Sequence, residues 1–227
     1  MPRLAASYSL VRRRSFLLRP LQNSCIKAGR SQRLARMSHL SKLRDSIAAA
    51  TKTLQSIFDR EEEIAKAAEL LGNCLTSGNK VLVCGNGGSA ADAADFCTEL
   101  ACRFIEDRRP YPALNLAQGA SLLTATGNDY GFEEIFARQV RAFGKSGDVL
   151  IAVTTSGKSN NIRRALEEAK SAQLKTIALL GRDGGACAGL ADVDLVVRGD
   201  STARIQEAHK FILHVLCEIV EPRLAKH

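Results

Sequence analysis

The sequence predicts an α/β fold, a single doubly wound parallel sheet preceded by N-terminal helices. From residue 80 on, short apolar runs alternate with amphipathic helical segments, which is the pattern of strands buried on both faces by helices. Two of these runs, residues 81–84 and 149–153, end in loops of small residues that open a helix. With 227 residues, the chain has the length of one domain of this class.

Two helices come before the first strand. Apolar residues recur at helical spacing from Leu40 to Phe58, and Asp59 followed by Glu62 predicts a capped second helix that ends near Leu75. Their apolar stripes suit either pairing between subunits or a lid over the chain's own core. The predicted strands are 80–84, 113–116, 148–153, 175–180 and 195–197; the later helices are 89–104, 121–126, 132–143, 159–172 and 202–221.

The positive charge is confined to the N-terminal segment. Residues 1–36 hold nine Lys or Arg and no acidic residue, which leaves 23 basic against 24 acidic residues for 37–227. The globular part is near neutral, so its charge does not predict a nucleic-acid partner. We therefore divide the chain into an N-terminal extension, 1–36, and one domain, 37–227. The extension reads as a transit peptide, as a disordered or over-called tail before a true start at Met37, or as a nucleic-acid contact.

Cysteine usage and hydropathy indicate the compartment. The seven cysteines are odd in number and form no C-x-x-C pair, which argues against a disulfide framework and against a cysteine zinc site. No apolar run reaches the length of about 18 residues that a membrane span needs. We expect a cytoplasmic protein with no membrane and no nucleic-acid partner.

The two small-residue loops form a candidate anion site. Residues 85–89 and 154–159 each place backbone N–H groups, hydroxyls and the positive end of a helix beyond the carboxyl end of a strand. Neither loop has the spacing of a Walker loop or a G-x-G-x-x-G fingerprint, so nucleotide binding is disfavoured. Each loop alone could be an ordinary helix cap, but two on one sheet favour a clamp for a phosphorylated ligand.

Two helical segments carry the candidate chemistry. Asp95 and Glu99 are four residues apart and share one helix face. Gln206, His209 and His214 form a polar cluster on the last helix. If the two segments converge, they supply a general acid/base pair or a metal site with oxygen and nitrogen ligands. If they do not, the carboxylates are a solvated face and His214 is a core or interface residue.

Five segments carry a family resemblance. Residues 84–92, 126–130, 154–159, 181–185 and 203–209 together resemble the sugar-isomerase (SIS) domain family, and most closely the phosphoheptose isomerases. The resemblance runs from about Met37 to the C-terminus. It implies a homotetramer with active sites shared between subunits. The implied substrate is a sugar phosphate, and the implied reaction is the interconversion of sedoheptulose 7-phosphate and D-glycero-D-manno-heptose 7-phosphate.

The resemblance also implies roles for individual residues. Glu99 is the implied base and His214 its acid/base partner. The implied zinc ligands are Asp95, Glu99, Gln206 and His214. The implied substrate contacts are Asn86, Gly87, Gly88, Glu99, Asn128, Asp129, Thr154, Thr155, Ser156, Ser159 and Gln206.

Two positions depart from the family pattern. Asp95 stands where the family usually has His, and the shorter, charged side chain changes the geometry and metal preference of a site. Ala203 stands where many relatives have an acidic residue, and Thr202 is a candidate replacement for that contact. The alternative to an enzyme is a non-catalytic SIS-domain sensor of sugar phosphates or a partner of replication-initiation proteins. A sensor needs only the clamp, so the presence of Glu99 and His214 favours an isomerase.

Overall fold

The computed structural model describes the backbone of residues 22–226 and the side chains of residues 39–226. Seven α-helices and five strands occur in this part of the chain, together with 3₁₀ turns at Ser56–Arg60 and Gly185–Cys187. The helices are α1 Gln22–Gln55, α2 Glu61–Thr76, α3 Gly88–Ala101, α4 Ala120–Tyr130, α5 Glu134–Phe143, α6 Asn160–Ser171 and α7 Thr202–Leu224. The strands are β1 Val81–Gly85, β2 Ala113–Asn115, β3 Val149–Thr154, β4 Lys175–Gly181 and β5 Val193–Val197. None of the helices in the described range is both long and apolar enough to cross a bilayer.

The chain divides into two compact units, residues 1–46 and 47–227. The described residues of the first unit are the beginning of α1, and the second unit contains the sheet with all the remaining elements. The predicted extension at 1–36 lies outside the described side chains, and only its backbone from Gln22 on is described, as helix.

All five strands are parallel, in the order β2-β1-β3-β4-β5. The chain leaves β1 for the β2 edge and then returns to β3 on the other side of β1. The carboxyl ends of β1 and β3 are therefore the switch point at which doubly wound sheets bind ligands. This topology confirms the predicted fold class.

Side chains alternate between two cores, one on each face of the sheet. Val81 and Val83 of β1 point to the face covered by α2, α3 and α7. Leu82 and Cys84 point to the other face, which α5 and α6 cover. Helices α3 and α7 therefore lie on the same face of the sheet, where they pack against each other.

Several predicted element boundaries were wrong. Helix α1 begins at Gln22 instead of residue 40. Helix α2 begins at Glu61, and none of the described side chains caps it, so the predicted Asp59 cap does not form. At the other end of the chain, α7 continues past the predicted end to Leu224, because Val220 and Leu224 still bury their side chains in the core.

Helix α3 ends at Ala101, before the predicted residue 104. Cys102 leaves the helical backbone conformation, and the Arg108 guanidinium donates to the last carbonyls of the helix. Its Nη2 lies 2.7 Å from the Glu99 oxygen and its Nη1 3.0 Å from the Leu100 oxygen. These bonds satisfy carbonyls that have no partner within the helix.

Candidate active site

The loops after β1 and β3 meet at the switch point of the sheet. Their strands are hydrogen-bonded neighbours, with Gly85 in register with Val153. Asn86 in the first loop and Asn161 in the first turn of α6, directly after the second loop, form a reciprocal amide pair, each Nδ2 donating to the other Oδ1 at 2.9 Å. The structure thus brings together the two loops that the sequence singled out.

The first loop is built around backbone approaches that exclude side chains. Gly87 has a φ of 56°, in the left-handed region that favours glycine. A Cβ on Gly88 would lie 2.3 Å from Oε1 of Gln206. The Gln206 side chain therefore packs directly on this loop, which ties α7 to the carboxyl end of β1.

The second loop presents a cluster of hydroxyl groups. The hydroxyl of Thr154 lies 3.4 Å from that of Ser156 and 3.3 Å from that of Ser159. The backbone N–H of Lys158 donates to the Ser156 hydroxyl over 3.2 Å, and α6 begins at the next residue after Ser159. Hydroxyl donors at a helix N-terminus are suited to a phosphate.

Helices α3 and α7 face each other with polar side chains. Asp92 on α3 is only 7% exposed, and burial raises the pKa of its carboxyl, while Lys210 and Gln206 on α7 act in the opposite direction. Lys210 forms an ion pair with Asp95, and its Nζ lies 4.0 Å from Oδ1 of Asp92. A cavity of about 400 Å³ opens here, lined by Asp92, Ala203, Gln206, Glu207 and Lys210.

Glu99 and His214 lie farther along the same pair of helices. Both are half-buried. The Glu99 charge contributes to the raised pKa of Cys217 on α7, of which burial is the larger cause. The centre of the His214 ring lies 5.9 Å from that of the Phe104 ring. A charge on His214 is a minor cause that lowers the pKa of the Asp92 carboxyl. Within the described side chains, no hydrogen bond joins Glu99 directly to His214.

His209 does not belong to the polar cluster predicted on the last helix. It is fully buried, and burial lowers the pKa of its imidazole to about 4. The reason is the helical period: His209 is turned to the core between Gln206 and Lys210, which face α3.

The predicted substrate contacts Asn128 and Asp129 are exposed, and the Asn128 side-chain amide donates a hydrogen bond to the Asp129 carboxylate.

Comparison with known proteins identifies the family. A family model described as SIS domain matches residues 45–181. A phosphoheptose isomerase of Shewanella sp. (strain W3-18-1) is 45% identical over 192 residues, which are 82% of this chain and 96% of the relative. The chain belongs to the SIS-domain phosphoheptose isomerase family.

Solved structures agree with this membership of the phosphoheptose isomerase family. Phosphoheptose isomerases of Neisseria gonorrhoeae and Francisella tularensis are each 40% identical to this chain, with TM-scores of 0.76 and 0.78. Each match covers 81% of this chain and 98% of the solved chain. The protein is therefore an isomerase, in agreement with the predicted enzyme class and not with the alternative of a non-catalytic sensor.

The zinc site that the family resemblance implies would need Asp95, Glu99, Gln206 and His214 to converge. Among the described side chains, no three His, Cys, Asp or Glu residues lie close enough to hold a metal ion. Asp95 is exposed and paired with Lys210, whereas Asp92 is the carboxylate beside Gln206. Asp95 does not fit a zinc site while Lys210 engages its carboxylate, and zinc stays a prediction.

Sequence reasoning about this isomerase missed three residues at the site: Asp92, Asn161 and Lys210. Two of them had a signal in the helical period. Asp92 is three residues before Asp95, and Lys210 is four residues after Gln206, so each shares a face with a residue already singled out. Asn161 had no such signal, because its pairing with Asn86 depends on the neighbouring positions of β1 and β3.

Proposed function

We propose that this protein interconverts sedoheptulose 7-phosphate and D-glycero-D-manno-heptose 7-phosphate. The observation that carries the proposal is the joining of the two loops by Asn86 and Asn161 beside the polar face of α3 and α7. A phosphate site and acid/base groups are then adjacent on one sheet edge. The relative named phosphoheptose isomerase at 45% identity supports the choice of a heptose phosphate.

In this proposal, the loop after β3 holds the phosphate. The hydroxyls of Ser156 and Ser159 each lie within 3.4 Å of the Thr154 hydroxyl, and all three can donate to the phosphate oxygens. The N-terminus of α6 adds backbone N–H groups and the positive end of the helix dipole. Gly87 and Gly88 of the loop after β1 border the sugar, together with Gln206 of α7, which packs on that loop.

Proton transfer belongs to Glu99 and His214. The Glu99 carboxylate removes the proton from the carbon next to the carbonyl, and the electron pair of the broken C–H bond forms the double bond of the enediol. The π electrons of the carbonyl move to its oxygen, which takes a proton from His214. Glu99 then returns the abstracted proton to the former carbonyl carbon, and His214 takes a proton back from the hydroxyl on the other carbon as the new carbonyl forms. Geometric positioning and general acid/base catalysis each contribute large factors to such reactions.

We further propose that the isomerase works as a homotetramer with shared active sites. An apolar cavity of about 790 Å³ lies among residues of the α1 end, α2 and α7. Phe58 and Phe211 line it although they are 71% and 48% exposed. A second copy of the chain is the occupant that accounts for such an apolar face on a near-neutral domain.

The test of the reaction is an isomerase assay on the full-length protein with sedoheptulose 7-phosphate. We expect turnover, and a loss of about 10²- to 10⁴-fold in kcat in Glu99→Gln, because the amide cannot accept the carbon-bound proton. Glu62→Gln is the matched control, since Glu62 is exposed on α2. Equal kcat in Glu99→Gln and Glu62→Gln would remove Glu99 from the mechanism.

A further inference from the structure

Two polar stripes face each other between α3 and α7. The α3 stripe has residues spaced by three and four, and the α7 stripe has residues spaced by four, so each lies on one helix face. The α3 stripe is Asp92, Asp95 and Glu99; the α7 stripe is Gln206, Lys210 and His214. The α3 stripe carries three carboxyl groups, so a cation on the facing stripe is favourable.

Lys210 supplies that cation from the centre of the α7 stripe. Its ammonium donates a hydrogen bond to Oδ2 of Asp95 and lies 4.0 Å from Oδ1 of Asp92. The Lys210 side chain is only 27% exposed. The ammonium is thus held between the first two carboxylates, at the wall of the cavity that also contains Gln206.

Asp92 shows independently that this cavity is built for a polar group. It is buried, and its Oδ2 has no hydrogen-bond partner among the residues that the structure describes. An unpaired buried oxygen is costly unless a ligand or a charge compensates it. A hydroxyl-bearing ligand or the nearby ammonium can do so.

We propose that Lys210 is the built-in cation of this active site and engages the Asp95 carboxylate that the predicted zinc would need. A metal ion can bind Asp95 only if the Lys210 ammonium moves away, since two cations repel each other at this distance. In the isomerase, the ammonium at the cavity wall stabilises negative charge that develops on the sugar oxygens. Only this last role rests on the proposed function.

Zinc binding by the chelator-treated full-length protein tests the proposal without any substrate. We expect weak binding in the wild type and at least about tenfold tighter binding in Lys210→Met, which keeps the apolar stem and removes the charge. The double variant Asp95→His/Lys210→Met should bind at least as tightly. Asp95→Ala/Lys210→Met should return to the wild-type affinity, which locates the gained zinc on Asp95. The readout is isothermal titration with zinc chloride.

Lys170→Met is the matched control, because Lys170 is exposed on α6, and its zinc affinity should equal that of the wild type. Equal zinc affinity in wild type and Lys210→Met overturns the proposal. If Lys210→Met does not fold, the wild type decides: one zinc per chain bound at about micromolar affinity or tighter overturns the proposal, and weaker binding supports it. Turnover that survives chelator treatment is the additional expectation if the proposed isomerisation holds.

Discussion

At the scale of single residues, buried polar groups separate structure from function in this chain. Asp148 is fully buried, but it accepts from the backbone N–H groups of Lys80 and Lys145 and pairs with the Lys80 ammonium. Those bonds hold the amino ends of β1 and β3, whereas the site lies beyond the carboxyl ends of these strands. Asp92 on α3 is buried beside the site, and its Oδ2 has no hydrogen-bond partner in the described part of the chain. A carboxylate whose bonds are complete stabilises the fold, whereas an incomplete one is available to a ligand.

His209 should make the stability of the protein depend on pH. Its pKa is about 4 in the folded protein, because burial disfavours the imidazolium, and about 6.5 in the unfolded chain. The unfolded chain therefore binds more protons between these values, so stability is full above pH 6.5 and is lost as the pH falls towards 4. From pH 7.5 to pH 5, we expect the free energy of unfolding to fall by about 2 kcal/mol from this group.

Urea unfolding of wild type and His209→Leu at both pH values measures this effect. The leucine variant cannot titrate, so its stability should fall by about 2 kcal/mol less between pH 7.5 and pH 5. A difference between the two pH values that is the same in both proteins would show that His209 does not titrate as described.

At the scale of elements, one buried ion pair positions the two helices that carry the chemistry. Glu221 near the end of α7 accepts from the backbone N–H groups of Phe104 and Ile105. Its Oε1 lies 3.4 Å from Nε of Arg108 in a pair that is almost fully buried. Arg108 in turn binds the Glu99 carbonyl at the end of α3. The pair therefore fixes the helix end that bears the proposed base.

Glu221→Gln should lower the free energy of unfolding by about 3 kcal/mol, because it leaves the buried Arg108 without its counter-charge. Chemical denaturation at pH 7.5 is the measurement. Glu218→Gln is the control, since Glu218 is exposed one turn earlier on α7, and it should change stability by less than about 0.5 kcal/mol. A loss in Glu221→Gln no larger than in this control would contradict the assigned role of the pair.

The burial and capping of each element explain why the sequence predicts some of the fold and not the rest. Strands β1 and β3 consist entirely of buried residues, so their apolar runs identify them and the glycine- and hydroxyl-rich loops behind them. Helix boundaries were harder, because α2 begins without a side-chain cap. The partnership of Asp95 with Lys210 spans 115 positions. The helical period predicts which side chains share one face of a helix. It does not predict which other helix that face contacts, because this depends on the face of the sheet on which each connecting helix packs.

At the scale of the whole molecule, the apolar cavity between α2 and α7 predicts self-association. Phe58, Phe211 and Ile219 are exposed large hydrophobic residues that line it. An exposed apolar face of this kind normally marks an interaction site. Because α7 also carries Gln206 and His214, an interface on this helix would couple assembly to the geometry of the active site.

A charge placed in this cavity should dissociate the assembly. We expect size-exclusion chromatography with light scattering to give the full-length wild type a mass four times the 24.5 kDa of one chain. Phe58→Glu should elute as a smaller species, because burying a carboxylate in an apolar contact is strongly unfavourable. Phe143→Glu is the matched control, since Phe143 is exposed at the end of α5, on the other face of the sheet. If the active sites are shared, isomerase activity falls together with the mass in Phe58→Glu and stays in Phe143→Glu. A wild type that is monomeric, or a Phe58→Glu variant with unchanged mass, would remove this cavity as the interface between copies.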